Sequence, residues 1–156
     1  MTDTAAVAQF KRGIELLRDG HPADAAECLR RALQMEKHNP YYLSFLGVSL
    51  ARANKKWAEA VELCETALDL RRKEAQFYLN LAEVYISAGR RGDAVAVLDR
   101  AQEHFKLDPR IERARTKLGR RASPILPFLH RQHFVNRSLG RLRHRALKLL
   151  RKAQEA

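Results

Sequence analysis

The chain is 156 residues long with a net charge of +12 and two cysteines, which suits one compact domain plus an extension. No apolar run approaches the ~18 residues of a membrane span. Met-Thr-Asp-Thr-Ala-Ala lacks the basic start and long apolar core of a secretory signal, so a reducing cytoplasm is the expected compartment.

The first helix is predicted from Thr4 to Arg18. Asp19-Gly20-His21-Pro22 stops it, with Gly at the C-cap and Pro near the next helix start. A second helix over 23–36 is broken by His38-Asn39-Pro40, and Pro40 suits the first turn of a third helix over 41–53. Asn54-Lys55-Lys56 forms a turn, and Trp57 seals it at the start of a fourth helix over 58–72. The fifth helix covers 74–88, with Gly89-Arg90-Arg91-Gly92 as its turn. Asp93 reads as the N-cap of a sixth helix ending near Lys106.

Asp108-Pro109 opens a seventh helix over about 109–122. Its apolar residues Ile111, Ala114, Leu118 and Ala122 recur at helical spacing, as a capping helix requires. Ser123-Pro124 ends it, because the residue before Pro avoids the α region. Residues 123–135 read as an extended Pro-containing strip. Ile125, Leu126, Phe128 and Leu129 need a surface to lie on: the last repeat, a groove of the same chain, or a neighbouring copy. Asn136 can cap a final basic amphipathic helix over 136–156. One face holds Leu139, Leu142, Ala146, Leu149 and Ala153, and another holds Arg137, Arg141, Arg145, Lys148 and Lys152.

Small residues recur on a fixed beat through this series. Ala25, Ala60 and Ala94 lie 35 and 34 residues apart, as do Ala32, Ala67 and Ala101. Gly13, Gly47 and Ala82 form a third series. A period of about 34 residues signals a helical solenoid. A pair of antiparallel helices cannot bury its apolar face alone, so pairs stack, and close crossings need residues without bulk. Leu29, Leu46, Leu63, Leu81 and Leu98 fill the space between. The expected fold is an all-α solenoid of antiparallel helix pairs with a capping helix, an extended strip and a basic helix.

The residues at these phases resemble the tetratricopeptide-repeat (TPR) family. Leu46-Gly47, Leu50, Ala60, Cys64 and Ala67 occupy its pattern in the second repeat, and Tyr78, Leu81-Ala82, Tyr85, Ala94, Leu98 and Ala101 in the third. Gly13, Leu16, Ala25, Leu29 and Ala32 carry the first, where Gln9 and Arg12 stand at places the family gives to large apolar residues. The repeats are placed at about 6–39, 40–74 and 75–108, within a repeat region over 4–108.

The resemblance implies a concave groove lined by the first helix of each pair, reading a peptide or helix of a protein partner. Its fixed reading positions map to Phe10, Lys11, Ile14 and Arg18; to Tyr41, Ser44, Phe45, Val48 and Arg52; and to Gln76, Leu79, Asn80, Glu83 and Ser87. Asn80 matches an Asn that members often use to bond a ligand backbone. Members that clamp a chaperone's C-terminal carboxylate need Lys and Asn in the first of these helices and Asn in the second. Phe10, Ile14 and Phe45 hold those places here, which argues against chaperone-tail binding. The groove reads as apolar with a polar floor in the third repeat, suited to an apolar segment or amphipathic helix.

Charge placement supplies a second reading. Residues 1–105 hold fifteen Lys/Arg and fifteen Asp/Glu, whereas residues 106–156 hold fifteen and three, an excess of twelve that is the whole net charge. A basic module joined to a neutral scaffold suits an anionic surface such as nucleic acid, a ribosome or acidic membrane. The leucine seam of the last helix suits packing on the repeats or on a second copy. No phosphate loop, GxSxG or HExxH is present, so no enzyme and no cofactor is expected. His130-x-x-His133 has no Cys or carboxylate close in sequence, and Arg131 and Arg137 oppose a cation, so no metal is expected. Cys28 and Cys64 read as small buried hydrophobes.

Overall fold

The computed structural model describes residues 2–118. The described residues form seven helices and no strand: α1 (Thr2–Arg18), α2 (Pro22–Met35), α3 (Pro40–Asn54), α4 (Trp57–Leu70), α5 (Ala75–Ser87), α6 (Arg91–His104) and α7 (Pro109–Lys117). The expected strip and final basic helix, with Arg137, Arg141, Arg145, Lys148, Lys152 and the His130/His133 pair, lie outside the described residues.

Each element starts where local chemistry permits. Asn39 caps α3, its Oδ1 accepting from the Tyr41 amide at 3.0 Å, with Pro40 in the first turn. Asp108 does the same for α7, accepting from the Arg110 amide at 2.8 Å ahead of Pro109. These caps satisfy backbone donors that a helix start leaves open. Asp93 is not the cap of α6. That helix starts at Arg91 after Arg90, and Asp93 sits in the first turn, accepting from Arg90 Nε at 2.8 Å. A carboxylate there still favours the helix start through the backbone dipole. Gly20 and Gly89 leave α1 and α5 with φ of +85° and +72°, and Lys55 leaves α3 at the same phase with φ of +53°.

The helices pair as α1–α2, α3–α4 and α5–α6, and each pair packs on the next. The first members, with α7, form one layer, while α2, α4 and α6 form the other. All six alanines of the two series on α2, α4 and α6, the second or B helices of the pairs (α1, α3 and α5 being the first or A helices), are fully buried. Leu29, Leu81 and Leu98 are also fully buried, and Leu46 nearly so. Leu63 is only partly buried; Cys64 takes the core place equivalent to Leu29 and Leu98. The reason is register: Cys64 stands 35 residues after Leu29 and 34 before Leu98, the steps of the alanine series, and it meets α3 at a close crossing. A Cβ on Gly47 would meet the Ala60 carbonyl oxygen and Cys64 Sγ, each at 2.7 Å. Burial pushes the Cys64 thiol up to about 12, and Cys28 is likewise free and buried.

Gln9 and Arg12 become intelligible here. Their counterparts Leu43 and Leu46, and Tyr78 and Leu81, are buried where an A helix meets the preceding B helix. Among the described residues α1 has no B helix before it. Arg12 is exposed and Gln9 half-buried, and with Leu16, Asp24, Glu27, Cys28 and Arg31 they line an open hollow of about 240 Å³. At the other end, Ile111, Ala114 and Leu118 turn toward the core while the rest of α7 is polar.

Candidate binding groove

The inner layer holds the reading positions, and the repeat period fixes their register. Aromatic contacts knit its helices together. Phe10 of α1 lies 5.0 Å from Tyr42 and 5.6 Å from Phe45 of α3, ring centre to ring centre. Tyr41 meets Phe77 of α5 edge-on at 5.0 Å. Such tilted and edge-on pairs add about 0.5–1.5 kcal/mol beyond their burial. Phe10, Ile14, Phe45 and Leu79 each keep part of their surface open to solvent.

Ser44, Val48 and Asn80 do not line the surface: all three are buried. Packing of α5 onto α3 covers them. Asn80 Nδ2 donates to Ser44 Oγ at 2.9 Å, and Asn80 Oδ1 accepts from Gln76 Nε2 at 2.8 Å. Gln76 Oε1 in turn accepts from Arg110 Nη1 at 3.4 Å. The Asn80 amide is therefore committed to the protein, since leaving buried polar groups unpaired is costly. Lys11, Arg18 and Ser87 are exposed, and Gln76 is half-buried.

Arg52 crosses the inner face. Its Nη2 lies 2.5 Å from Glu83 Oε1, its Nε donates to the same oxygen at 2.6 Å, and its Nη1 donates to the Leu17 carbonyl at 3.2 Å. One side chain thus joins α1, α3 and α5, and it satisfies a carbonyl from the last turn of α1. Tyr41 donates its hydroxyl to Glu74 Oε2 at 2.6 Å. That bond, with burial and the charge of Glu74, raises the Tyr41 hydroxyl above its ordinary value. Arg71 sits 5.7 Å from the centre of the same ring.

Three features of α1, α5 and α7 were not singled out at the sequence level. Val7 and Ile86 are exposed apolar residues of α1 and α5, at 40% and 47%. Val7 lies 34 residues before Tyr41, so extending the register by one position would have found it. The cationic residues of α7 continue the inner layer by the same interval. Among the described residues no cluster of His, Cys, Asp and Glu could hold a metal ion, and no helix is long and apolar enough to cross a membrane.

Paired helices in this phase, with a varied inner layer, define a helical-repeat solenoid. The chain belongs to the tetratricopeptide-repeat family: two sequence models of that repeat match residues 10–75 and 51–118. No curated protein matches the sequence. Among solved structures it is similar to the first TPR domain of Spaghetti (RPAP3) bound to the HSP90 peptide SRMEEVD, at 18% identity over 74% of this chain and 93% of that one, TM-score 0.62. The second TPR domain of human RPAP3, in complex with the HSP70 peptide SGPTIEEVD, matches at 15% over 78% and 100%, TM-score 0.63. An O-GlcNAc transferase of Thermobaculum terrenum matches at 21% over 76% of this chain but 22% of that one, TM-score 0.66. At these identities the likeness establishes the fold.

Proposed function

We propose that the chain is a non-enzymatic interaction adaptor whose inner face, on α1, α3 and α5, holds a peptide or helix of a protein partner. The observation that carries this is apolar surface left open on a rigid inner layer: Phe10, Ile14, Phe45 and Leu79 partly exposed, Val7 and Ile86 more so. Apolar anchors of a partner gain by covering such surface. The RPAP3 domains with bound chaperone peptides support peptide binding by this fold. Phe10, Ile14 and Phe45, standing where the chaperone clamp needs Lys and Asn, point to a different partner.

The test is affinity capture from the native cell with wild type and Phe45→Glu. A partner retained by wild type and lost by a Phe45→Glu variant of unchanged helicity is the expected result. A partner set indifferent to Phe45→Glu contradicts the reading.

The twelve-charge excess of residues 106–156 favours a second reading. Arg137, Arg141, Arg145, Lys148 and Lys152 would hold an anionic surface, nucleic acid or acidic lipid. Such binding weakens steeply with salt through counterion release. Binding that ignores salt, or that survives deletion of 136–156, removes it.

A further inference from the structure

Resting on the groove reading, we propose that α7 extends the groove past the third repeat and selects the partner. It does so by taking a carboxylate-bearing end of a partner segment whose apolar stripe covers α1, α3 and α5.

The two layers differ in sign. Helices α1, α3, α5 and α7 carry +1, +1, −1 and +3, a net of +4. Helices α2, α4 and α6 carry 0, −4 and −1, a net of −5. Most of the inner excess therefore sits on α7. Its Arg110, Arg113 and Lys117 fall at i, i+3 and i+7, one face of a helix. They lie 34 residues after Gln76, Leu79 and Glu83, the reading positions of α5. The bond from Arg110 to Gln76 places that face beside the groove.

Arg110 is partly spent on Asp108, at 2.8 Å. Arg113 and Lys117 are exposed and have no ion-pair partner among the described residues. At the centre of the inner face, Arg52 is neutralised by Glu83. On α1, Lys11 stands four residues before Glu15, at i, i+4. Within the described inner layer, an acidic ligand group therefore finds the largest cationic excess on α7, at Arg113 and Lys117, and apolar partners toward α1. Complementary charges of this kind steer and orient a partner more than they tighten it.

The ligand is a protein segment rather than a nucleic acid. Helix α7 carries no aromatic side chain for base stacking, and neither do the matching positions of α5, Gln76, Leu79 and Glu83. Residues 137–152 of the chain carry the same sign as α7 and do not fit this chemistry.

The test is fluorescence anisotropy on the full chain with labelled amphipathic peptides of about 18 residues bearing a leucine stripe. One peptide ends in glutamates, the other in glutamines. The glutamate peptide is expected to bind about tenfold tighter at low salt. Arg113→Glu with Lys117→Glu should erase that preference and leave the glutamine peptide within about twofold. Arg141→Glu with Arg145→Glu should preserve it. A preference that follows the 141/145 reversal, an equal loss for both peptides in the α7 variant, or no binding of the glutamate peptide to wild type overturns the proposal. So does an oligouridine probe that loses affinity in the α7 variant while the glutamate peptide does not. Phe45→Glu separates the two levels. If it weakens both peptides but the glutamate preference is absent, only the α7 assignment fails. If it weakens neither, the groove reading itself fails.

Discussion

The outer and inner layers obey different rules. On α2, α4 and α6 the same small residues return at every turn of the repeat, and all are fully buried. On α1, α3 and α5 only the crossing site repeats, as Gly13, Gly47 and Ala82. The other equivalent positions diverge: Phe10, Ser44 and Leu79; Ile14, Val48 and Glu83; Arg18, Arg52 and Ser87. Packing dictates the first set, because any added atom meets a neighbouring helix. In the second set Ser44 and Val48 are buried, while the other positions keep solvent-facing surface where side chains vary without breaking the stack, and the proposed recognition falls on those.

The largest expected effect falls on a crossing site. Gly47→Ala puts a methyl 2.7 Å from the Ala60 carbonyl, which cannot move without its helix, and should cost about 2 kcal/mol in a thermal melt. Gly13→Ala meets Leu29 Cγ at 2.9 Å, a side chain able to turn aside, and should cost less. Equal losses would break the distinction between rigid and yielding crossings.

Asn80→Ala should come next, costing about 1–2 kcal/mol because Ser44 and Gln76 lose their partner. Its partner affinity, corrected for the folded fraction, should be unchanged. A folded variant with lost affinity would return Asn80 to the binding surface.

Lys55→Gly should stabilise the chain by about 1 kcal/mol in urea titration. It relieves a left-handed backbone that Gly20 and Gly89 adopt freely. A destabilised variant would show that Lys55 makes a compensating contact.

The smallest effect is local and depends on pH. The hydrogen bond from Arg110 holds the Asp108 carboxyl below its ordinary 3.8. A lowered value contributes stability above 3.8 that is lost as pH falls through the folded value. Helix α7 should fray before α5 in amide exchange as the solution is acidified. Asp108→Asn keeps a capping oxygen and should abolish that pH dependence.

The fold was legible because the alanine series are consequences of helix crossing, which tolerates no bulk. The finer errors share a cause. Leu63 and Cys64 are adjacent, and the 35-residue step between the first two pairs puts Cys64, not Leu63, at the core phase. Asp93 looks like a cap in sequence, but the helix resumes two residues earlier, in phase with Pro22 and Trp57. Ser44, Val48 and Asn80 hold reading positions by register, yet the packing of α3 against α5 buries them. The bond from Arg52 to the Leu17 carbonyl spans 35 residues and leaves no local pattern.

Mapping backbone amide shifts on titrating the glutamate-ended peptide tests the central claim most directly. The inner layer should respond, with changes clustered at Phe10, Ile14, Phe45, Leu79 and Arg113 and little on α2, α4 or α6. Changes centred on the acidic face of α4, or confined to residues beyond 118, would contradict it.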